Sequence, residues 1–174
     1  MQNYKIIFSY DGTSYHGFQV QENALTVQEV LERSLEKIYG KKTRVVVAGR
    51  TDAGAHARGQ AANFFAPDYI SPEVLPLALN SVLPRDIVVF KAEKVDNSFH
   101  ARRDACAKTY SYTIYNGRFP DVFLRFYTWH IAERLHVEEM KLAASFLLGK
   151  HDFKAFQASG SSVKTTEREI FNLE

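Results

Sequence analysis

The residues best able to do chemistry lie in residues 49–60, Gly-Arg-Thr-Asp-Ala-Gly-Ala-His-Ala-Arg-Gly-Gln. This stretch separates two apolar segments, yet it contains three glycines, two arginines and one acid. The acid is Asp52, with Arg50 and Arg58 on either side. A guanidinium within reach lowers the pKa of a carboxyl group by about 1–3 units, so we expect Asp52 to be ionised. An ionised carboxylate in a rigid loop can act as a nucleophile or a general base.

The same residues also fit a purely structural interpretation. Arg50 and Asp52 could form an ion pair in a decorated loop, and such surface pairs contribute only about 0–1 kcal/mol. From the residue types alone, the catalytic and the structural hypotheses both remain open.

The stretch resembles the sequence Gly-Arg-Thr-Asp-Ala-Gly-Val-His-Ala, which marks tRNA pseudouridine synthases of the TruA type. Ala55 takes the place of the valine, a loss of two methyl groups that we expect to leave the chemistry intact. Other segments are similar to the same family, in the family's order, across nearly the whole chain. They are residues 10–19, 26–28, 79–84, 99–102, 108–112 and 149–153.

The resemblance implies an activity. Enzymes of this family convert uridine to pseudouridine at positions 38 to 40 of the tRNA anticodon stem-loop, with no cofactor and no metal. The bond from N1 of uracil to the ribose breaks, the base turns over, and C5 is joined to the ribose. Bacterial members are homodimers, so the resemblance also implies tRNA and a second copy of the chain as partners.

The resemblance also assigns roles to individual residues. Asp52 corresponds to the essential aspartate, and Arg50 to the arginine that holds this carboxylate and replaces the displaced base in the duplex. Tyr110 corresponds to the tyrosine that lies over the target uracil. A uridine inside a stem must be flipped out to react, and an aromatic face can receive it.

Several basic residues are candidates for phosphate contacts, which position RNA without reading its sequence. They are Arg58, Arg102, Arg103 and Lys108. Three histidines also fall in the family-like segments, where we expect structural hydrogen bonds. They are His16, His56 and His100.

Composition is compatible with this function but does not require it. The net charge is +2 and the isoelectric point is near 8.6, which permits an RNA partner. No apolar run is long enough to span a membrane, and the N-terminus lacks the pattern of a signal peptide, which favours the cytoplasm. Cys106, the only cysteine, excludes an internal disulfide and is expected to be a small core residue.

Hydrophobic periodicity predicts the elements that must position these residues. In the first half, a strand, a helix, two strands, a short helix and a strand form the split pattern of an α+β sandwich. The strands are predicted at residues 4–10, 44–48, 60–66 and 86–94, and the helices at 26–39 and after Ser71. In the second half, strands are predicted at 108–115, 126–131 and 168–173, and a helix at 137–148.

The predicted fold is therefore α+β: two ferredoxin-like halves, residues 1–97 and 98–174, sharing a mostly antiparallel central sheet. The second half is expected to be incomplete, because nothing matches a later family segment with a Met-Val-Arg motif. We therefore expect a fragment with little or no activity.

Two rival hypotheses remain. One is a catalytically incomplete tRNA-binding fragment or module. The other is an unrelated small enzyme with a carboxylate loop, such as a hydrolase.

Overall fold

A computed structural model describes residues 1–157 and 165–174 of the chain. The chain divides into two compact units, Met1–Ser111 and Tyr112–Glu174. The first unit thus extends past residue 97, and the predicted domain boundary at that position stays a prediction.

The first unit is a four-stranded antiparallel sheet with two helices. Its elements in chain order are β1 (Gln2–Tyr10), α1 (Val27–Tyr39), β2 (Val46–Val47), β3 (Ala57–Ala66), α2 (Leu75–Asn80) and β4 (Ile87–Val95). The strand order is β2-β3-β1-β4, so β3 and β1 pair in the centre. This is the predicted split pattern, and the α+β class with a mostly antiparallel central sheet is confirmed.

One face of the sheet forms the core. Alternate residues of β1 (Tyr4, Ile6, Phe8 and Tyr10) are buried against apolar residues of both helices, including Leu31, Leu35, Leu75 and Leu79. Helix α1 begins after Thr26, whose side chain accepts a hydrogen bond from the Glu29 N–H. It ends at Gly40, which has a positive φ of 65° as the left-handed cap requires. Both helix boundaries agree with the sequence prediction.

Two predictions for the first unit need correction. Only Val46–Val47 of the predicted strand 44–48 is a strand, paired with β3, although the Ala48 N–H still donates to the Ala61 carbonyl at 2.8 Å. Cys106 is exposed, so its prediction as a core residue is wrong. It lies outside the strands and helices whose side chains build the core.

The second unit consists of short elements. Strands β5 (Ile114–Asn116) and β6 (Trp129–Ile131) pair in parallel, and β7 (Gly149–Asp152) pairs antiparallel with β8 (Glu167–Ile170). Helix α3 spans Val137–Ser145 and a single turn of 3₁₀ helix spans Lys154–Phe156. None of the residues of α3 is buried.

The predicted second half is therefore only partly realised. Its strands form two separate two-stranded pairs within the described residues. In place of the predicted strands 108–115 and 126–131, the structure has two three-residue strands, Ile114–Asn116 and Trp129–Ile131, which pair with each other. Helix α3 ends at Ser145 rather than Leu148, and β8 covers Glu167–Ile170 rather than 168–173.

Among the described residues, we find no helix with the length and apolar character needed to cross a membrane.

Candidate active site

Asp52 and Arg50 line one open cavity of about 330 Å³. Its wall comes from two segments that are distant in sequence: residues 50–53 on one side, and residues 16–19 and 21 on the other. We call residues 49–56 the aspartate loop and residues 11–19 the supporting loop. Both predicted site residues of the aspartate loop are exposed, so their charged groups face solvent at the cavity.

The backbone on both sides of Asp52 is held by hydrogen bonds. The Phe18 N–H donates to the Thr51 carbonyl at 3.0 Å, and the Tyr10 and Thr51 hydroxyls are 2.7 Å apart. The Ala55 N–H closes a turn onto the Asp52 carbonyl at 3.1 Å. The Asp52 carboxylate is thus exposed while its main chain is fixed, which suits a group that must meet a substrate in one geometry.

Two glycines of the supporting loop let it approach the aspartate loop closely. A Cβ on Gly12 would lie 2.0 Å from the Ala55 carbonyl oxygen, and one on Gly17 would lie 2.8 Å from that of Thr51. Gly17 also has a positive φ of 84°, a conformation that favours glycine. The family-like segment 10–19 therefore acts here largely through its backbone, which supports the aspartate loop.

The start of helix α1 holds the supporting loop in turn. The N–H groups of Val27 and Gln28 donate to the carbonyls of Gly17 and Phe18, at 3.3 and 2.9 Å. The first N–H groups of a helix lack partners inside the helix, so these carbonyls satisfy them. Helix, supporting loop and aspartate loop are thereby linked in series.

Partly buried polar contacts fix the first half of the supporting loop. Tyr15 is buried and its hydroxyl donates to Asp86 at 2.8 Å. Burial and this hydrogen bond raise the pKa of Tyr15 above its ordinary value. The Gly12 N–H donates to His56 Nδ1 at 3.1 Å, and this nitrogen also lies 3.0 Å from Asp11. The expected structural hydrogen bond of His56 is thus confirmed.

A β-bulge lies where β3 leaves the aspartate loop. Phe8 pairs with Gln60 while Tyr10 pairs with Ala57, so β3 carries one extra residue here. The Gln60 side chain donates to the Gly49 carbonyl at 2.8 Å and closes the base of the loop. Bulges bend a strand and re-aim its neighbours, and this one lies directly after the aspartate loop.

The expected ion pair between Arg50 and Asp52 is not formed. Among the described residues, no ion pair within 4.0 Å involves either side chain. Both are exposed, and an exposed pair gains too little to offset the ordering of two solvated side chains. The two groups line the same cavity as separate charges, so each can contact a ligand.

Comparison with known proteins identifies the family. Residues 6–104 match the family described as tRNA pseudouridine synthase. The chain is 52% identical over 173 residues to tRNA pseudouridine synthase A of Thermoanaerobacter sp. (strain X514). This alignment covers 99% of this chain and 71% of that protein. The protein of the same name from Acetivibrio thermocellus is 49% identical over 173 residues, with the same coverage. The one from Limosilactobacillus reuteri (strain DSM 20016) is 48% identical over 176 residues, covering 99% of this chain and 69% of its own.

The chain belongs to the tRNA pseudouridine synthase family. Residues 6–104 of the match contain the whole aspartate loop and the whole supporting loop. The cavity described above is therefore built entirely from the part of the chain that carries the family match.

The other predicted contacts of the tRNA pseudouridine synthase site do not line this cavity. Tyr110 is 74% exposed and lies outside any strand. Arg58 is exposed on β3, and Arg102 and Arg103 are exposed in the turn after Ala101. Lys108 approaches the aspartate loop, since a Cβ placed on Gly49 would be 2.9 Å from Lys108 Nζ.

Asn3 and Asn63 are two buried polar residues to which the sequence analysis assigned no role. Both are buried, at 0% and 2% exposure, and both bond to the segment that carries Arg102. Asparagine is depleted in strands, so its presence in two central strands was a signal that the sequence offered.

Among the described residues, no group of three or more His, Cys, Asp or Glu could hold a metal ion.

Gly17 and Gly54 provide a matched pair of variants. Their φ angles are similar, at 84° and 77°, but a Cβ on Gly54 would meet nothing within 4 Å. Gly54→Ala should lower the free energy of unfolding by about 1–3 kcal/mol, the cost of an unfavourable backbone conformation. Gly17→Ala should cost clearly more, because its Cβ also displaces Thr51. Urea unfolding monitored by circular dichroism measures both, and equal losses would contradict the close contact.

Proposed function

We propose that this chain isomerises uridine to pseudouridine in tRNA, at positions 38 to 40 of the anticodon stem-loop, with Asp52 as the catalytic carboxylate. The observation that carries the proposal is that the Asp52 side chain is exposed at an open cavity while the adjacent backbone is held by hydrogen bonds. The names of relatives 48–52% identical support the same activity. The positions in the anticodon stem-loop rest on the family resemblance.

The atom balance of the reaction explains what the site must do. The bond from ribose C1′ to uracil N1 breaks and a bond from C1′ to C5 forms. C5 loses its proton and N1 gains one, so the product is an isomer and no group is released. The protein must therefore hold a flipped base while it turns, with a carboxylate at the reacting atoms. A rigid loop that presents one exposed carboxylate meets this requirement.

Roles for the other candidate side chains belong to the same proposal. Arg50 lines the same cavity without an ion pair to Asp52, so its guanidinium can contact RNA next to the carboxylate. Tyr110 provides an exposed aromatic face on which uracil can stack. Arg58, Arg102 and Lys108 are proposed phosphate contacts.

The alternative is a tRNA-binding fragment or module without catalysis. The residues aligned with the relatives cover 71% of the Thermoanaerobacter protein. Both hypotheses predict tRNA binding, so only turnover separates them.

Substitution of Asp52 tests the catalytic role. Asp52→Asn keeps the shape but removes the charge, so pseudouridine formation on an unmodified tRNA should be lost while tRNA affinity is retained. Asp68→Asn is the control, because Asp68 is an exposed aspartate that bonds to Lys94 and does not line the cavity. Turnover by wild type that survives Asp52→Asn would refute the role of Asp52. If the wild type and Asp52→Asn both bind tRNA but neither forms pseudouridine, the alternative of a binding fragment is established.

Substitution of Tyr110 tests the stacking role. Tyr110→Ala should weaken the interaction with the flipped base by about 1–3 kcal/mol, the usual contribution of one stacked base. Tyr110→Phe keeps the ring and should retain most of this energy. Single-turnover rates at saturating and limiting protein provide the measurement. Equal losses in both variants would assign the effect to the hydroxyl and contradict stacking.

Three further statements belong to the same proposal: the chain acts in the cytoplasm, it forms a homodimer, and its domains are residues 1–97 and 98–174. Exposed large apolar residues in the second unit support association, among them Phe123, Trp129 and Phe146 at 83%, 65% and 72% exposure. Sedimentation equilibrium should give about twice the mass of 19.9 kDa. A monomer at micromolar concentration would contradict the dimer.

A further inference from the structure

The segment after β4 crosses the sheet on the face opposite the helices. Strand β4 is an edge strand next to β1, and β3 lies beyond β1. Asn3 of β1 donates from Nδ2 to the carbonyls of Asp96 and Phe99, both at 3.0 Å. Asn63 of β3 then accepts the Ala101 N–H at 2.9 Å. Residues 96–104, which we call the crossing segment, therefore run from the edge over β1 to β3.

The two asparagines form one buried unit. Asn63 donates from Nδ2 to Asn3 Oδ1 at 3.0 Å, so each amide uses both its oxygen and its nitrogen. Neither residue faces the helices: Asn3 alternates with the buried Tyr4, and Asn63 pairs with Lys5 across the ladder. Core packing against the helices thus does not account for these side chains. What they contact is the main chain of the crossing segment.

The crossing segment forms main-chain hydrogen bonds of its own and presents two arginines. The Phe99 N–H bonds to the Asp96 carbonyl, and the N–H groups of Arg103 and Asp104 both bond to the His100 carbonyl. Ala101 is 3% exposed, whereas its neighbours Arg102 and Arg103 are exposed. No ion pair within 4.0 Å neutralises either arginine in the described parts of the chain. Two uncompensated guanidinium groups therefore follow directly after the residue that Asn63 holds.

We propose that Asn3 and Asn63 are positioning residues for RNA: they fix the crossing segment so that Arg102 and Arg103 contact tRNA phosphates. This inference rests on the proposed tRNA substrate, but it does not depend on catalysis by Asp52. When a positive charge that contacts phosphate is removed, RNA affinity falls by a similar factor for all RNA sequences. The affinity also depends less on salt concentration. The asparagines act through the arginines and touch no RNA themselves.

The experiment measures tRNA affinity against salt concentration for the full 174-residue chain. Loss of one phosphate contact lowers the slope of log affinity against log salt by about 0.7–0.9. Arg102→Gln with Arg103→Gln should therefore lower the slope by about 1.5 and the affinity at 0.1 M salt by more than tenfold. Asn63→Ala should cause a similar change without altering any charge.

A double-mutant cycle separates positioning from a merely structural role. If Asn63 acts through the arginines, Arg102→Gln and Arg103→Gln should have little further effect in the Asn63→Ala background. Asn80→Ala is the matched control, because Asn80 also clamps a backbone with its amide, at the Val89 N–H and carbonyl. It should lower stability while leaving the salt slope unchanged.

The results are decisive in each direction. An unchanged salt slope in a folded Asn63→Ala protein, or full additivity with the arginine changes, would overturn the proposal. So would the absence of tRNA binding by the wild-type chain. If Asn63→Ala does not unfold cooperatively, Asn3→Ser replaces it, because that variant retains the bond from the Ala101 N–H to Asn63. Failure of pseudouridine formation alone would count against the proposed reaction but leave this binding test intact.

Discussion

The close approach of two loops is the constraint on which the rest of the site depends. The supporting loop and the aspartate loop meet backbone to backbone, at Gly12 against Ala55 and at Gly17 against Thr51. No residue with a side chain fits these contacts without displacing a carbonyl group. Hydrogen bonds then run from the first turn of α1 through the supporting loop to the residues beside Asp52. A single exposed carboxylate is held in place by main-chain groups, so its own oxygens are left for substrate.

This arrangement explains why long stretches around the aspartate resemble the family. The supporting loop contributes His16 and Gln19 to the cavity wall, but its larger contribution is the shape of its backbone. Preorganisation of this kind avoids reordering the site during the reaction. Arg50 and Asp52 remain separate at the cavity, so two charges are available to the ligand rather than one neutralised pair.

A second linked system lies on the other face of the sheet. There the buried amides of Asn3 and Asn63 hold the crossing segment, as the helices cover the opposite face. A buried amide whose hydrogen bonds are all made selects one position of the segment, because any shift of the segment leaves polar groups unpaired. The sheet thus carries a hydrophobic core on one side and an oriented main-chain segment on the other.

The sequence by itself determined the first unit and the identity of its central residues. Alternating apolar residues in β1, the caps of α1 and the Gly-Arg-Thr-Asp pattern are local signals, so they could be recognised without coordinates. The second unit was predicted less well, because short strands depend on which partner they find, as the reduction of 126–131 to Trp129–Ile131 shows. Only the tertiary structure decided that Arg50 and Asp52 stay unpaired, that Gly12 and Gly17 face the aspartate loop, and that Asn3 and Asn63 meet. These are contacts between residues distant in sequence, and their geometry depends on the whole sheet rather than on local propensity.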